Sequence, residues 1–328
     1  LHAGGKTILP FDADNDGDID IITTDELCEN LVFLRNEGDA ENALMTSFSS
    51  YPITNPVSYQ FFPSAFLEDI DFDGLKDLIV STNLDKNVVD LVNFQSHIKA
   101  FPNLGSNNIP SFSNSSPFFQ NEMIDVGEDA FPAFFDFDED GDLDLFVSNT
   151  GNLINGEFVG TVWLYENTGN QFEPEFSLLT KDFAGLSALG YKRLKAQLSD
   201  LDNDGLTDLI LHANVGPLDA RVFFLKGDEN LEFDGPVDLG FEANDASNPY
   251  VFDLNEDGQM DVLIGHQFGS LSAYFNNGNL SFSEEQTNFG GLEDDFSKQN
   301  LSVAVGQFLQ NTQPQIITID SQGKLTLY

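Results

Sequence analysis

Residues 136–144 read DFDEDGDLD and run directly into the apolar segment Leu145-Phe146-Val147. Asp stands at positions 1, 3, 5 and 9 of this nine-residue frame and Gly at position 6. The frame recurs at 12–20 (DADNDGDID), 69–77 (DIDFDGLKD), 200–208 (DLDNDGLTD) and 253–261 (DLNEDGQMD), with starts 57, 67, 64 and 53 residues apart. Of the twenty frame positions in the five copies, nineteen are Asp and one is Asn255, and position 6 is always Gly. Self-similarity at this period marks a tandem architecture, in which each unit packs on its neighbours.

The flanks of each loop predict its secondary structure. After the loops come Ile21-Ile22, Leu78-Ile79-Val80, Leu145-Phe146-Val147, Leu209-Ile210-Leu211 and Val262-Leu263-Ile264. Short apolar runs bounded by polar clusters read as buried strands. Apolar stretches such as Ala133-Phe134-Phe135 and Tyr250-Val251-Phe252 precede the loops, so each Asp loop is predicted to join the two strands of a hairpin. A third strand follows, ending at an Asn-x-Gly turn: Asn36 to Gly38, Asn103 to Gly105, Asn167 to Gly169 and Asn276 to Gly278. Asn and Gly there are expected to supply left-handed backbone. A fourth, Phe-rich segment comes next, as at Phe172 to Leu179 and Leu280 to Phe282.

Four strands per roughly 60 residues is the pattern of a propeller blade. The predicted fold is therefore all-β: a β-propeller of four-stranded blades, one domain over residues 1–328, with six blades counted. The sixth keeps the strands Val303-Ala304-Val305, Ile316-Ile317 and Leu325-Thr326-Leu327, but residues 306–316 replace the Asp loop and no fourth strand follows. The chain begins near one signature and ends inside another repeat. It reads as a piece of something longer, whose upstream residues would complete the last blade or add a seventh. The 32 Phe residues are expected to fill the gaps between stacked blades, and Trp163 to lie in such a core.

Composition narrows the function. With 55 acidic against 13 basic residues the formal charge is −42. Phosphate backbones and anionic membrane faces repel such a surface. A chain that is 41% hydrophobic has the material for packed cores, which excludes a disordered acidic tail. The single cysteine, Cys28, excludes an internal disulfide and a Cys-based zinc site. No apolar run reaches the roughly 18 residues of a membrane span.

Asp at alternating positions of a tight loop suits Ca2+, a hard cation that takes 6 to 8 oxygens in flexible geometry. The expected ligands are Asp12, Asp14, Asp16, Asp18 and Asp20; Asp69, Asp71, Asp73, Leu75 and Asp77; Asp136, Asp138, Asp140, Asp142 and Asp144; Asp200, Asp202, Asp204, Leu206 and Asp208; and Asp253, Asn255, Asp257, Gln259 and Asp261. Position 7 is expected to contribute its backbone carbonyl, so its side chain varies. An EF-hand would carry Glu at position 12. Thr23, Val80, Val147, Leu211 and Ile264 stand there instead. The frame accounts for 19 of the 42 net negative charges, and five calcium ions would return ten. The ions are expected to be structural, and the sixth unit to be metal-free.

The loops at 136–144 and 200–208, each entering an apolar strand, resemble the FG-GAP/VCBS repeat, which builds the propeller of integrin α subunits and of many secreted bacterial proteins. The resemblance spans nearly the whole chain. It implies calcium between strands 1 and 2 of each blade, on one face, with ligands met by the loops of the other face. It also implies a secreted or cell-surface location, bacterial and outside the outer membrane.

Two loops between the second and third strands are long, Ser81 to His97 and Asn149 to Thr161. The loops joining successive blades carry aromatic and polar residues: Tyr59-Gln60-Phe61-Phe62, Glu128 to Phe131, Asn248-Pro249-Tyr250 and Asp295 to Lys298. Tyr191, Lys192, Arg193 and Lys195 gather three of the 13 basic residues. They read either as an anchor for a carboxylate or sulfate on a ligand or as internal ion pairs. His2, His97, His212 and His266 are scattered, and no nucleophile, phosphate-loop or zinc-protease motif is present. The expectation is a non-catalytic binding or adhesion module with a protein or glycan ligand at the cell surface. The alternatives are a fixed subunit of a surface or secretion assembly and a polysaccharide-active lyase or glycosidase.

Overall fold

In the computed structural model, residues 6–59, 61–84, 87, 90, 92–120, 123–309 and 314–328 are described. Apart from three short 3-10 helices, every regular element among them is a β-strand. The chain divides into two compact units, Leu1–Asp125 and Val126–Tyr328.

In the first unit, β1 (Lys6–Phe11), β2 (Asp20–Asp25), β3 (Val32–Leu34) and β4 (Phe48–Ser50) form one antiparallel sheet in chain order. β5 (Pro63–Glu68), β6 (Asp77–Thr82), β7 (Lys99–Phe101) and β8 (Ser116–Pro117) form another. In the second unit, β9 (Phe131–Phe135) and β10 (Asp144–Ser148) are followed by the separate two-stranded sheet of β11 (Asn152–Ile154) and β12 (Glu157–Val159). β13 (Val162–Asn167) and β14 (Phe176–Thr180) then complete the sheet β9-β10-β13-β14. β15 (Lys192–Ser199), β16 (Asp208–Gly216), β17 (Asp219–Leu225) and β18 (Val237–Asp238) make the next sheet. Two three-stranded sheets follow: β19 (Asn248–Phe252), β20 (Asp261–Gly265) and β21 (Leu271–Tyr274), then β22 (Ser302–Gly306), β23 (Gln315–Ile319) and β24 (Leu325–Leu327). These are six up-and-down meanders of the propeller-blade kind, and every Asp loop joins the first two strands of its meander.

Two segments depart from the sequence reading. The predicted fourth strand at Leu280–Phe282 makes only an isolated bridge, Phe282 to Asn276, and a second bridge, Gln286 to Ala273, lies beyond it. Asn279 and Leu280 both take φ of +53°, and Asn277 and Ser281 bond to each other across a tight turn, so the chain curls back instead of extending. Residues 149–161, read as a long loop, hold the β11–β12 hairpin. Asn155 (φ +52°) and Gly156 (φ +87°) form its turn, the two left-handed residues that a type I′ connection requires.

Side chains alternate across each central strand, and here both faces are covered. Leu209, Leu211 and Ala213 of β16 pack with Phe146, Val162 and Leu164 of the preceding sheet. Ile210, between them, packs with Val262, Ile264 and Tyr274 of the following one. Leu263, Leu271 and Ala273 continue the stack onto Val305 and Leu301. In the first unit, Ile22 and Phe33 meet Leu78, Val80 and Phe101. Aromatic rings fill the space between sheets, as expected: Phe146 and Phe183 stand edge to face, 5.0 Å apart at 82°. Full burial of a side chain of this size stabilises by roughly 2–3 kcal/mol. Trp163 is buried with Val126, Leu145, Val147 and Tyr165, its indole N–H donates to Thr161 Oγ1 at 3.2 Å, and Lys181 Nζ lies 4.4 Å from its ring centroid.

Candidate metal centres

Each Asp loop turns on two demands of the backbone. Position 4 is left-handed in all five loops, at Asn15, Phe72, Glu139, Asn203 and Glu256, with φ between +59° and +63°. Position 6 follows at φ between +87° and +97° in Gly17, Gly74, Gly141, Gly205 and Gly258. A Cβ added at any of these glycines would meet no atom within 4 Å, so glycine is required there for its conformational freedom and not for space.

That backbone brings the side chains of positions 1, 3 and 9 together. Carboxylate oxygens of Asp12, Asp14 and Asp20 lie within 4.8 Å of one another, as do those of Asp69, Asp71 and Asp77, of Asp136, Asp138 and Asp144, and of Asp200, Asp202 and Asp208. Like charges this close repel by roughly 1 kcal/mol per pair even in water and by more away from it. Position 5 serves the loop's own backbone, because the Oδ1 atoms of Asp16, Asp73, Asp140, Asp204 and Asp257 each accept the amide of position 7. The amide donors are Asp18, Leu75, Asp142, Leu206 and Gln259.

The donor set fits a hard cation. Asp12 Oδ1, Asp69 Oδ1 and Asp136 Oδ1 are buried and accept no hydrogen bond within the protein. So are Asp18 Oδ1 and Asp142 Oδ1, on side chains only 5% and 8% exposed. Buried oxygens without donors are costly, and a bound divalent cation would satisfy them. Burial, reinforced by the charge of Asp16 or Asp140, holds the Asp18 and Asp142 carboxyls above the ordinary range.

Position 9 has a second role that the spacing did not disclose. One oxygen of this buried carboxylate accepts an amide of its own loop: from Ala13 to Asp20, Ile70 to Asp77, Phe137 to Asp144, Leu201 to Asp208 and Leu254 to Asp261. The other oxygen accepts from a residue at or just past the end of the third strand: Asn36, Asn103, Asn167, Gly227 and Asn276, at 2.7 to 3.0 Å. The four Asn residues then fold their own turns, each accepting the amide of the glycine two residues on. The expectation of left-handed backbone at those glycines holds only for Gly278 (φ +92°). At Gly38, Gly105 and Gly169 glycine is needed for close approach, because a Cβ would sit 2.1 to 2.5 Å from a backbone oxygen across the turn.

The five loops are not alike. Arg35 donates to Asp14 Oδ2 in the first. Lys226 Nζ donates to both Asp202 Oδ2 and Asp204 Oδ2 in the fourth. These bonds hold the Asp204 carboxyl below the usual range. In the fifth, Asn255 replaces the middle carboxylate, and its Nδ2 and Oδ1 bond to Asp257. In the sixth unit Gln315 occupies the place of position 9, opposite Gly306. Its Oε1 accepts the amides of Phe308 and Leu309 at 2.8 and 2.9 Å, so the strand-to-loop tie persists with a neutral side chain. Residues 310–313 of that loop lie outside the described residues.

A family model described as an FG-GAP-like repeat matches residues 200–264, from the fourth Asp loop through the fifth and into β20. Residues 200–264 are an FG-GAP-like repeat. No curated protein matches the chain. Solved structures similar to it include an Agrocybe aegerita lectin described as recognising non-reducing terminal N-acetylglucosamine, at 16% identity over 97% of this chain and 72% of that one, with a TM-score of 0.38. Another is BBS1N in complex with ARL6DN, at 12% identity over 99% and 80%, with a TM-score of 0.26.

At the other end of the FG-GAP-like repeat's strands, the basic cluster is tied into the protein. Tyr191 stacks on Phe223, with centroids 5.4 Å apart. Lys192 Nζ lies 5.6 Å from the centroid of Phe158. Arg193 donates to Asp129 at 3.0 Å, a pair with both side chains well exposed. Lys195 donates to Ser247 O and Asn248 Oδ1 at 2.6 and 2.7 Å, and burial pulls its pKa down to about 8. An ion pair of this cluster is thus made by Arg193, which stays at the surface, while Lys195 is held by neutral oxygens and Tyr191 by ring stacking. In two other joining loops, Tyr59 O–H donates to Val80 O and Asn248 Nδ2 to Leu301 O. Gln60 lies outside the described residues.

The described histidines do not converge. His97 bonds to Phe94 O. His266 Nε2 meets Ser272 Oγ at 2.9 Å, but that hydroxyl donates its one proton to Glu285, so the histidine is the donor and not a base for the serine. His2 lies outside the described residues. His212 is fully buried on the FG-GAP-like repeat, between Arg193 O and Asn244 O. Burial, with the Lys195 charge nearby, lowers its pKa to about 4. A histidine with a depressed folded pKa stabilises fully above its unfolded pKa of about 6.5, and that contribution is lost as pH falls toward the folded value. Between pH 7 and pH 5 the wild-type chain should therefore lose about 2 kcal/mol more than His212→Gln. Urea denaturation of both at the two pH values checks this, and equal losses would show that His212 does not carry the acid sensitivity.

Proposed function

We propose that the chain is a calcium-stabilised, non-catalytic binding module that works outside the cell, in an environment where calcium is abundant. The observation that carries this reading is the set of four Asp triads, three of which hold a buried oxygen with no donor. Calcium would supply the positive charge and the missing coordination, and the Asp frame would hold it between the first two strands of each meander. Extracellular calcium modules work at about 10⁻⁴ to 10⁻³ M, which suits secretion or display at a bacterial surface. The FG-GAP-like repeat supports the same class of role. The ligand, protein or glycan, would meet loops at the strand ends away from the metal, since loops on a rigid scaffold carry recognition.

The test is capture by the immobilised chain from a cell-surface fraction in millimolar calcium, followed by elution with chelator. A defined protein or polysaccharide that binds in calcium and elutes with chelator supports the module. A protein retained stoichiometrically through both steps favours a fixed subunit of a surface assembly. Shortening of a captured polysaccharide would overturn the non-catalytic reading.

A further inference from the structure

We infer that Lys226 is a tethered cation that competes with the divalent ion for the fourth loop, and that the position it occupies sets the order in which the loops fill. The inference rests on the calcium reading above. Asn36, Asn103, Asn167, Gly227 and Asn276 are equivalent, because each donates its amide to the position 9 carboxylate. The residue immediately before each is therefore one structural position. It holds Arg35, Pro102, Glu166, Lys226 and Phe275 in loops one to five.

The charge at this position differs in sign from loop to loop. The Lys226 ammonium is seated on Asp202, a member of the fourth triad, and on Asp204. An incoming ion has to displace it from two carboxylates. The Arg35 guanidinium reaches only Asp14 and leaves Asp12 Oδ1 and Asp18 Oδ1 without donors, so the first loop is only partly compensated. Pro102 and Phe275 bring no charge to theirs. In the third unit this position holds an acid, Glu166, and there Asp136 Oδ1 and Asp142 Oδ1 are already buried without donors. The fourth loop's triad has no such orphaned buried oxygen among the described residues. The third loop therefore fills before the fourth, and at low calcium the fourth hairpin is held by its own lysine.

The sequence offers a site-resolved readout. Asp–Gly pairs occur six times, at Asp16-Gly17, Asp73-Gly74, Asp140-Gly141, Asp204-Gly205, Asp257-Gly258 and Asp234-Gly235. Carbonyl-13C Asp with 15N Gly labelling isolates these six amides by NMR, five in the loops and Gly235 as an internal reference. In a calcium titration of the full chain, Gly141 should respond before Gly205. Lys226→Met should bring the Gly205 midpoint to about tenfold lower calcium while leaving Gly141 unmoved. Glu166→Lys should move the Gly141 midpoint about tenfold higher. A Gly205 midpoint unchanged by Lys226→Met, or one at or below that of Gly141 in the wild type, overturns the inference and leaves the calcium reading standing. Loop amides that do not respond to calcium at all would overturn both.

Discussion

Excess chelator lowers the melting temperature of the calcium-loaded chain by roughly 15–30 °C, the largest effect expected of any change in conditions. At free calcium about 100-fold above the dissociation constant, a site that exists only in the folded state adds roughly 2.7 kcal/mol. The unit Val126–Tyr328 contains three of the five loops, and a domain of that size shifts by roughly 2–4 °C per kcal/mol. Without an ion, the carboxylates of each triad repel across less than 4.8 Å, and nothing satisfies the orphaned oxygens of Asp12, Asp69 and Asp136. Scanning calorimetry at about 10 mM calcium, 100-fold above a dissociation constant of about 10⁻⁴ M, and in EDTA measures the difference. Superimposable melts would remove calcium from the account of stability. Full restoration by magnesium alone would replace calcium with a less selective divalent site.

The second large effect separates the metal from the scaffold. Asp208→Ala should destabilise by about 3–5 kcal/mol, in chelator as well as in calcium. Its two oxygens hold the amides of Gly227, Leu201 and Asp202 at 3.0, 2.9 and 3.3 Å inside the protein, and alanine strands all three donors. Asp202→Asn is the contrast. Its Oδ1 serves only the local amide of Asp204, and its Oδ2 accepts from a partly exposed Lys226 that asparagine's oxygen can still receive and that also keeps Asp204, so this variant should lose stability chiefly in calcium. Urea unfolding of both variants in both buffers gives four midpoints. An Asp208→Ala chain that matches wild type in EDTA would show that the carboxylate serves only the ion.

The Asp frame was legible because an ion cage takes side chains at fixed local intervals, and the buried strands because their apolar runs are short and bounded. What escaped the sequence depends on partners far along the chain. The tie from Asp77 reaches Asn103, and that from Asp208 reaches Gly227, with no local periodicity to announce either. The Asn-x-Gly turns were found, but their glycines were assigned to left-handed backbone when three of them make room for a carbonyl. The Asn155-Gly156 hairpin did carry a readable turn signal, hidden inside a segment taken for a loop. The sequence left Tyr191 and Lys195 open between a ligand anchor and internal ion pairs, because the partners that hold them, Ser247 and Asn248 for Lys195 and Phe223 for Tyr191, lie far along the chain. Nothing in the spacing foretold that Lys226 would lie on two carboxylates of the frame.

The Gln315 tie amounts to a natural substitution experiment on the other five hairpins. Chain connectivity and strand register there survive replacement of the anionic hub by a neutral amide that accepts the same kind of donors. Mechanical closure of a hairpin and its demand for an ion are thus separable properties, and the sixth unit already displays the first with a neutral hub. Engineering a version of this protein that tolerates calcium-poor conditions would begin by transplanting that glutamine and its loop, one meander at a time.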